Sequence, residues 1–204
     1  MDTAVHGHAH ASLQQGAKAG ADFRGDHFAL FGLEPRFALD TEALSAAWRR
    51  LQALVHPDRF AGGGDAQARV AMQWSTLVNT AYRTLLDPLA RAAYLCELRG
   101  VAIDAERNTA MPVDFLDEQM QWREDLDEAR AGGDAQALQG LAARVEQRRG
   151  EVLRSLARHL DEAPAEPEAR ARATREAAAE VRVLMFIERF RRDLAPRVRR
   201  PEAS

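Results

Sequence analysis

The chain has a single cysteine, Cys96, in 204 residues. It can form no disulfide within itself, and it cannot hold zinc or an iron–sulfur centre through a thiolate cluster of its own. No apolar run approaches the ~20 residues that a membrane-crossing helix needs. Lysine is almost missing too: Lys18 is the only one among 28 basic side chains, and the rest are arginine. Nor is there a surplus of positive charge. The net charge is −3, which argues against a dedicated nucleic-acid binder, whose usual footprint is basic. The N-terminus lacks the basic-then-apolar pattern of a secretory signal, and Asp2 and Asp22 make it a poor organelle presequence. Together these absences fit a reducing compartment, and the cytoplasm is the expected location. No stretch reads as a β-strand.

What is present is helical periodicity. The chain is 46% hydrophobic and 29% charged, a balance for a water-exposed globular fold of one or two domains. Residues 1–24 are rich in Ala, Gly and His without periodicity, and a disordered tail is expected there. His6, His8 and His10 alternate in it, but no fixed carboxylate or thiol accompanies them, so they are read as exposed and not as a metal site. A short first helix is expected over Asp26 to Leu33. Asp40 is the expected N-cap of a second, with Glu42 in its first turn. The second helix carries Leu44, Ala47, Trp48, Leu51, Leu54 and Val55. The third carries Val70, Trp74, Leu77, Val78, Ala81, Tyr82 and Leu85 at the same spacing. Those stripes predict an antiparallel hairpin. A fourth helix runs from Asp87-Pro88 to Gly100. Residues 100–111 lose periodicity and read as a linker. Pro112 then opens a helix that Gly132-Gly133 ends, Asp134 caps the next, and a last helix spans about Glu168 to Leu194. The fold class is all-α: a helical hairpin unit over 25–99 and an antiparallel three-helix bundle over 112–196, with a tail at 197–204.

Between the second and third helices lies His56-Pro57-Asp58-Arg59-Phe60. Pro57 has no amide hydrogen and disfavours α geometry at His56, so the helix ends there. An imidazole, a rigid ring and a carboxylate are thereby set on a loop whose base two packed helices hold. A His–Asp pair can do acid–base chemistry only with a nucleophile, metal or substrate pocket nearby. The sequence offers none, and an enzyme is not expected.

The tripeptide between two such helices resembles the J-domain of DnaJ-type co-chaperones. The wider chain is similar to one branch of that family, the iron–sulfur co-chaperone HscB. The resemblance is carried by Phe28-Ala29-Leu30-Phe31-Gly32-Leu33, by His56 to Phe60, by Asp87-Pro88-Leu89-Ala90-Arg91-Ala92-Ala93-Tyr94-Leu95, and by Phe115-Leu116 through Arg123 to Glu128. It implies that the loop docks on an HscA- or DnaK-class chaperone and stimulates its ATP hydrolysis. Asp58 would then supply a carboxylate for an arginine fork, His56 a hydrogen bond and Pro57 a rigid backbone. Arg49, Arg50 and Arg59 would face an acidic chaperone surface. Arg59 stands where lysine is usual in the family; the charge is kept.

The helix after Pro112 has two apolar faces. At about 100° per residue, Phe115, Trp122, Leu126 and Ala129 share one stripe, and Val113, Leu116, Met120 and Glu124 another. In the last helix Val181 and Leu184 share a face, while Val183, Phe186 and Phe190 are expected to point elsewhere. Either both faces are buried, or the second is an exposed patch rimmed by Arg123, Glu124 and Glu128, the profile of a binding site. The resemblance implies that Leu116, Met120, Glu124 and Phe186 bind an IscU-type scaffold on which iron–sulfur clusters are assembled. Asp117 stands where the family more often has an apolar residue, and Gln121 where it often has an acid. No cofactor, nucleic acid or membrane is expected. The alternatives are a J-domain protein with another client and a helical nucleic-acid binder using arginine pairs such as Arg148-Arg149 and Arg191-Arg192.

Overall fold

A computed structural model describes residues 25–55, 65–103 and 112–195. The expected tails at 1–24 and 197–204, the His56–Arg59 loop and residues 104–111 of the expected linker lie outside the described residues. Among those described there are seven helices and no strand: α1 (His27–Phe31), α2 (Thr41–Val55), α3 (Asp65–Leu86), α4 (Pro88–Leu98), α5 (Val113–Ala131), α6 (Ala135–Asp161) and α7 (Pro167–Leu194). The fold is all-α, as the periodicity requires. None of these helices is long and apolar enough to cross a membrane. Contacts divide the chain into two units between Leu95 and Cys96, so the last residues of α4 belong with the second unit. The sequence reading had given residues up to 99 to the first.

In the first unit, aspartates start the helices. Asp26 Oδ1 accepts from the amides of Phe28 and Ala29 at 2.8 and 2.9 Å. Asp40 Oδ1 accepts from Glu42 and Ala43 at 2.9 and 3.0 Å. Each satisfies amides that the first helical turn leaves unpaired. Gly32 ends α1 in the left-handed region at φ 68°, a conformation that costs glycine little. Phe28, Leu30 and Phe31 of α1 pack with Leu44, Ala47, Leu51 and Val55 of α2 and with Val78, Ala81 and Leu85 of α3 in the buried core. The sequence reading placed Val70 in that stripe. Instead Val70 is 36% exposed and Ala71 is buried. Val70 lies about 100° round the helix from Ala71, off the line that Ala71 forms with Val78 and Leu85. α4 is tied down by Arg91, whose Nη1 donates to the Leu85 carbonyl at 2.5 Å and whose guanidinium lies 5.1 Å from the centre of the Phe37 ring. Tyr94 accepts from the His27 amide at 2.9 Å and stacks on the His27 ring.

The second unit is an antiparallel three-helix bundle. Its turns are those the sequence reading expects: Gly133 has φ 62°, and Asp134 Oδ1 accepts from Gln136 and Ala137 at 2.9 Å. α7 begins slightly earlier than expected because Glu166 caps it through Glu168 and Ala169, with Pro167 in the first turn. Cross-links run in antiparallel register. Arg148 meets Glu118 at 3.0 Å and Arg144 meets Asp125, joining α6 to α5. Arg149 meets Glu188 at 2.6 Å and Ser155 donates to Glu180 at 2.5 Å, joining α6 to α7. Val183 and Phe190, expected to point away from the packed face of α7, are 2% and 4% exposed. The correction has a simple cause: α7 has α6 on one flank and the α5 rings on the other, so a wide arc of it is covered. Residues 96–103 dock onto this bundle. Arg99 Nη2 donates to the Leu160 carbonyl at 2.6 Å, and Arg182 Nη1 to the Ile103 carbonyl at 3.4 Å.

Burial pushes the Glu180 carboxyl above its ordinary pKa, against the opposing pull of the Ser155 hydrogen bond and of His159. Its Oε2 is buried without a hydrogen-bond partner. A carboxyl whose pKa is raised by folding binds its proton more tightly in the folded state, so its contribution to stability falls as pH rises through the ordinary carboxylate range and above. Glu180→Gln keeps an acceptor for Ser155 and removes the charge. The variant is expected to melt higher than the parent at pH 7, with the difference shrinking to nothing by about pH 4. Paired thermal melts across that range check the sign.

Candidate functional site

Two surfaces carry the candidate residues, one on each unit. On the first, Arg49 and Arg50 are exposed on α2. Their helix is held against α3 by a polar lattice on the neighbouring face. Trp48 Nε1 and Gln52 Nε2 both donate to Asn79 Oδ1, at 3.1 and 2.5 Å. The Trp48 and Tyr82 rings stack with centroids 4.7 Å apart, and the Ser45 and Tyr82 hydroxyls are 3.2 Å apart. Residues 45, 48 and 52 thus meet 82 and 79, an antiparallel pairing that leaves residues 56–64 to join the two helices. His56, Pro57, Asp58 and Arg59 all fall in that stretch, outside the described residues.

On the second unit the site is built from α5 outward. Phe115, Trp122, Leu126 and Ala129 are buried, as their spacing predicts. The opposite stripe faces solvent: Leu116 is 38% exposed, Met120 60%, and Glu124 is exposed. Phe186 behaves differently from these three. It is half-buried, edge-on to Phe115 at 5.4 Å, stacked with Phe190 at 5.9 Å and tilted against Trp122 at 6.4 Å. The Arg123 guanidinium covers it, 5.6 Å from its centroid. Arg123 and Glu124 are therefore rim groups, while Phe186 is shared between the core and the surface. Met185, next to Phe186, is 40% exposed, and the sequence reading did not single it out. The Phe115/Trp122 and Phe186/Phe190 pairs, seven and four residues apart, were the available sign that the rings would form one cluster.

Asp117 and Gln121 are both exposed. Gln121 donates to Asp125 at 2.8 Å, and that bond together with Arg144 holds the Asp125 carboxyl below its usual pKa. Three arginines of the α6 and α7 pairs are engaged with acids. Arg148 pairs with Glu118 and Glu151, Arg149 with Glu146 and Glu188, and Arg191 with Glu146 and Glu188. They act as braces between helices, whereas Arg192 is exposed. Among the described residues no group of three or more His, Cys, Asp or Glu side chains is placed to hold a metal ion.

Known proteins share this arrangement. The HscB homolog of Burkholderia multivorans, a co-chaperone protein, is 49% identical over 176 residues, covering 86% of this chain and 95% of that one. The chain belongs to the HscB co-chaperone family. The HscB homolog of Burkholderia cenocepacia is 48% identical over the same length. Residues 111–195 match the family model described as the HscB C-terminal oligomerisation domain. Among solved structures, human co-chaperone HscB superposes with a TM-score of 0.75 at 27% identity, covering 86% of this chain and 83% of that one. Chaperone HscB from Vibrio cholerae gives 0.71 at 35% identity, covering 83% and 95%. The all-α architecture is thus that of HscB.

The differing burial of the candidate residues in this HscB family member has a measurable consequence. Leu116→Ala and Met120→Ala open no cavity and should each change folding stability by no more than about 0.5 kcal/mol. Phe186→Ala removes a ring from the four-ring cluster and should cost about 1–3 kcal/mol, less than a fully buried phenylalanine. Denaturant titration of the three single variants measures this, and a large loss for Met120→Ala would place it in the core.

Proposed function

We propose that this HscB family member is a co-chaperone for iron–sulfur protein maturation, acting as a regulator and not as a catalyst. It binds an IscU-type scaffold through Leu116, Met120, Glu124 and Phe186, and delivers it to an HscA- or DnaK-class chaperone in the cytoplasm. The His56-Pro57-Asp58 loop, flanked by Arg49, Arg50 and Arg59, engages that chaperone and stimulates its ATPase. Residues 25–95 form the J-domain and 112–196 the scaffold-binding bundle, onto which 96–103 dock, with 104–111 as linker and 1–24 and 197–204 as tails. The observation that supports this most is the solvent-facing Leu116–Met120 stripe on α5. A helix whose other face is already packed gains nothing for its own fold from two large exposed apolar side chains in line, whereas an interface does.

The mechanism divides between the units. On the bundle, covering a large apolar side chain stabilises a complex by roughly 1.5–3 kcal/mol, and Arg123 and Glu124 at the rim orient the partner by charge. On the hairpin, Asn79 holds α2 through Trp48 and Gln52, so the backbone that carries Arg49 and Arg50 is fixed. Charges carried in this way raise the rate of encounter more than the final affinity.

Because the two surfaces are separate, their losses should be separable. His56→Gln or Asp58→Asn should abolish stimulation of the chaperone ATPase while helicity, melting and scaffold binding stay as in the parent. The double variant Leu116→Ala/Met120→Ala should weaken scaffold binding by ~2–4 kcal/mol, allowing for non-additivity between neighbours. It should leave scaffold-independent ATPase stimulation intact. ATPase assays and calorimetric titration on the same samples test both halves. Parent-like stimulation by either loop variant overturns the chaperone-docking role.

A further inference from the structure

We propose that Met120 is a modification site at which a hydroperoxide oxidises the thioether to the sulfoxide, weakening the hold of the α5 face on its partner. The inference rests on the function proposed above, since it concerns the regulation of that same face.

Accessibility supports it first. Met120 is 60% exposed, against 38% for Leu116 one turn before it. Phe186 is half-buried beneath Arg123. Among the described apolar residues of this face, Met120 therefore offers the most surface to an arriving partner and to a small oxidant. The second support is the state of the cysteine. Cys96 is the chain's only cysteine and is fully buried. Its Sγ lies 3.9 Å from the Thr174 carbonyl oxygen. Burial pushes its thiol up to about 11. Peroxide reacts with thiolate, and a buried thiol with so high a pKa supplies almost none. The exposed thioethers are left as the oxidisable sulfurs among the described residues.

The chemistry is a balanced oxygen transfer. The Met120 sulfur attacks one peroxide oxygen, an S–O bond forms as the O–O bond breaks, and the second oxygen takes up the proton and leaves as water from hydrogen peroxide or as an alcohol from an organic hydroperoxide. The sulfur loses the two electrons that the peroxide gains. A flexible apolar side chain becomes a polar one with a strong acceptor oxygen. Burying that oxygen without a donor opposes complex formation. Reduction by a dithiol-dependent methionine sulfoxide reductase returns the oxygen to water, oxidises the dithiol to a disulfide and restores the apolar group.

The test treats the full chain with hydrogen peroxide, removes the peroxide, and titrates the IscU-type scaffold. Peptide mass spectrometry follows the oxygen added at each methionine. Affinity should fall about tenfold or more (about 1.4 kcal/mol) in proportion to Met120 sulfoxide, and methionine sulfoxide reductase should restore it. Met72 and Met185 are also accessible, at 61% and 40% exposed, so two variants separate the sites. Met120→Leu, whatever its starting affinity, should keep that affinity through the treatment. Met72→Leu/Met185→Leu should lose affinity as the parent does. Untreated protein that fails to bind the scaffold overturns the proposed function and this inference with it. Untreated protein that binds, while protein fully oxidised at Met120 binds equally well, overturns the inference alone. So does a Met120→Leu variant that loses as much affinity as the parent.

Discussion

α5 is held to α7 by four aromatic rings, and the direction in which α5 faces solvent follows from that contact. Phe115 and Trp122 reach inward from one helix, Phe186 and Phe190 from the other. The centroids of the contacting pairs lie 5.4 to 6.4 Å apart in edge, tilted and stacked arrangements. Such geometries add roughly 0.5–1.5 kcal/mol per pair beyond simple burial. They also fix the rotation of each helix, because a ring turned out of its neighbours loses contact on several sides at once. With the inward arc of α5 so determined, Leu116, Met120 and Glu124 have only the outward arc left. Two cations close the cluster from outside: Arg123 over Phe186 and Arg148 over Phe115.

The polar side of the bundle works differently. Glu146, Arg149, Glu188 and Arg191 form a closed ring of alternating charge between α6 and α7. Each pair is partly exposed, so each contributes little alone. What the ring supplies is register: a slide of α7 by one turn would break both pairs that cross between the helices, Arg149–Glu188 and Arg191–Glu146. Apolar packing provides the greater part of the stability, and the ion pairs select among packings of nearly equal energy.

Much of the architecture was legible in the sequence because the chain marks its helix ends chemically. Asp26, Asp40 and Asp134 sit where a carboxylate can accept from the following amides, and Gly32 and Gly133 sit where a left-handed residue is needed. The end of the bundle was less legible. Glu166 caps α7 with its longer side chain, a role that composition favours for aspartate, serine or threonine. The number of neighbours a helix has was not legible at all. Val183 and Phe190 look spare beside Val181 and Leu184 until α5 and α6 are both placed against α7. Ala71 could not be preferred to Val70 from hydrophobicity, because close approach of a neighbouring helix favours the smaller residue. The outward stripe of α5 was readable from angular arithmetic, but the division of Phe186 between core and surface depends on a tertiary contact.

Asn79 offers one acceptor oxygen to two donors, Trp48 and Gln52, that stand one turn apart on the same helix. A single point of attachment would let α2 swing about it like a door, whereas Tyr82, one turn beyond Asn79 on α3, grips α2 a second time through Ser45 and the Trp48 ring and removes that freedom. A partner approaching Arg49 and Arg50 meets a template whose backbone is already in place. At these two positions the ordering penalty on docking then falls on the side-chain rotamers, with the main-chain share already met by folding.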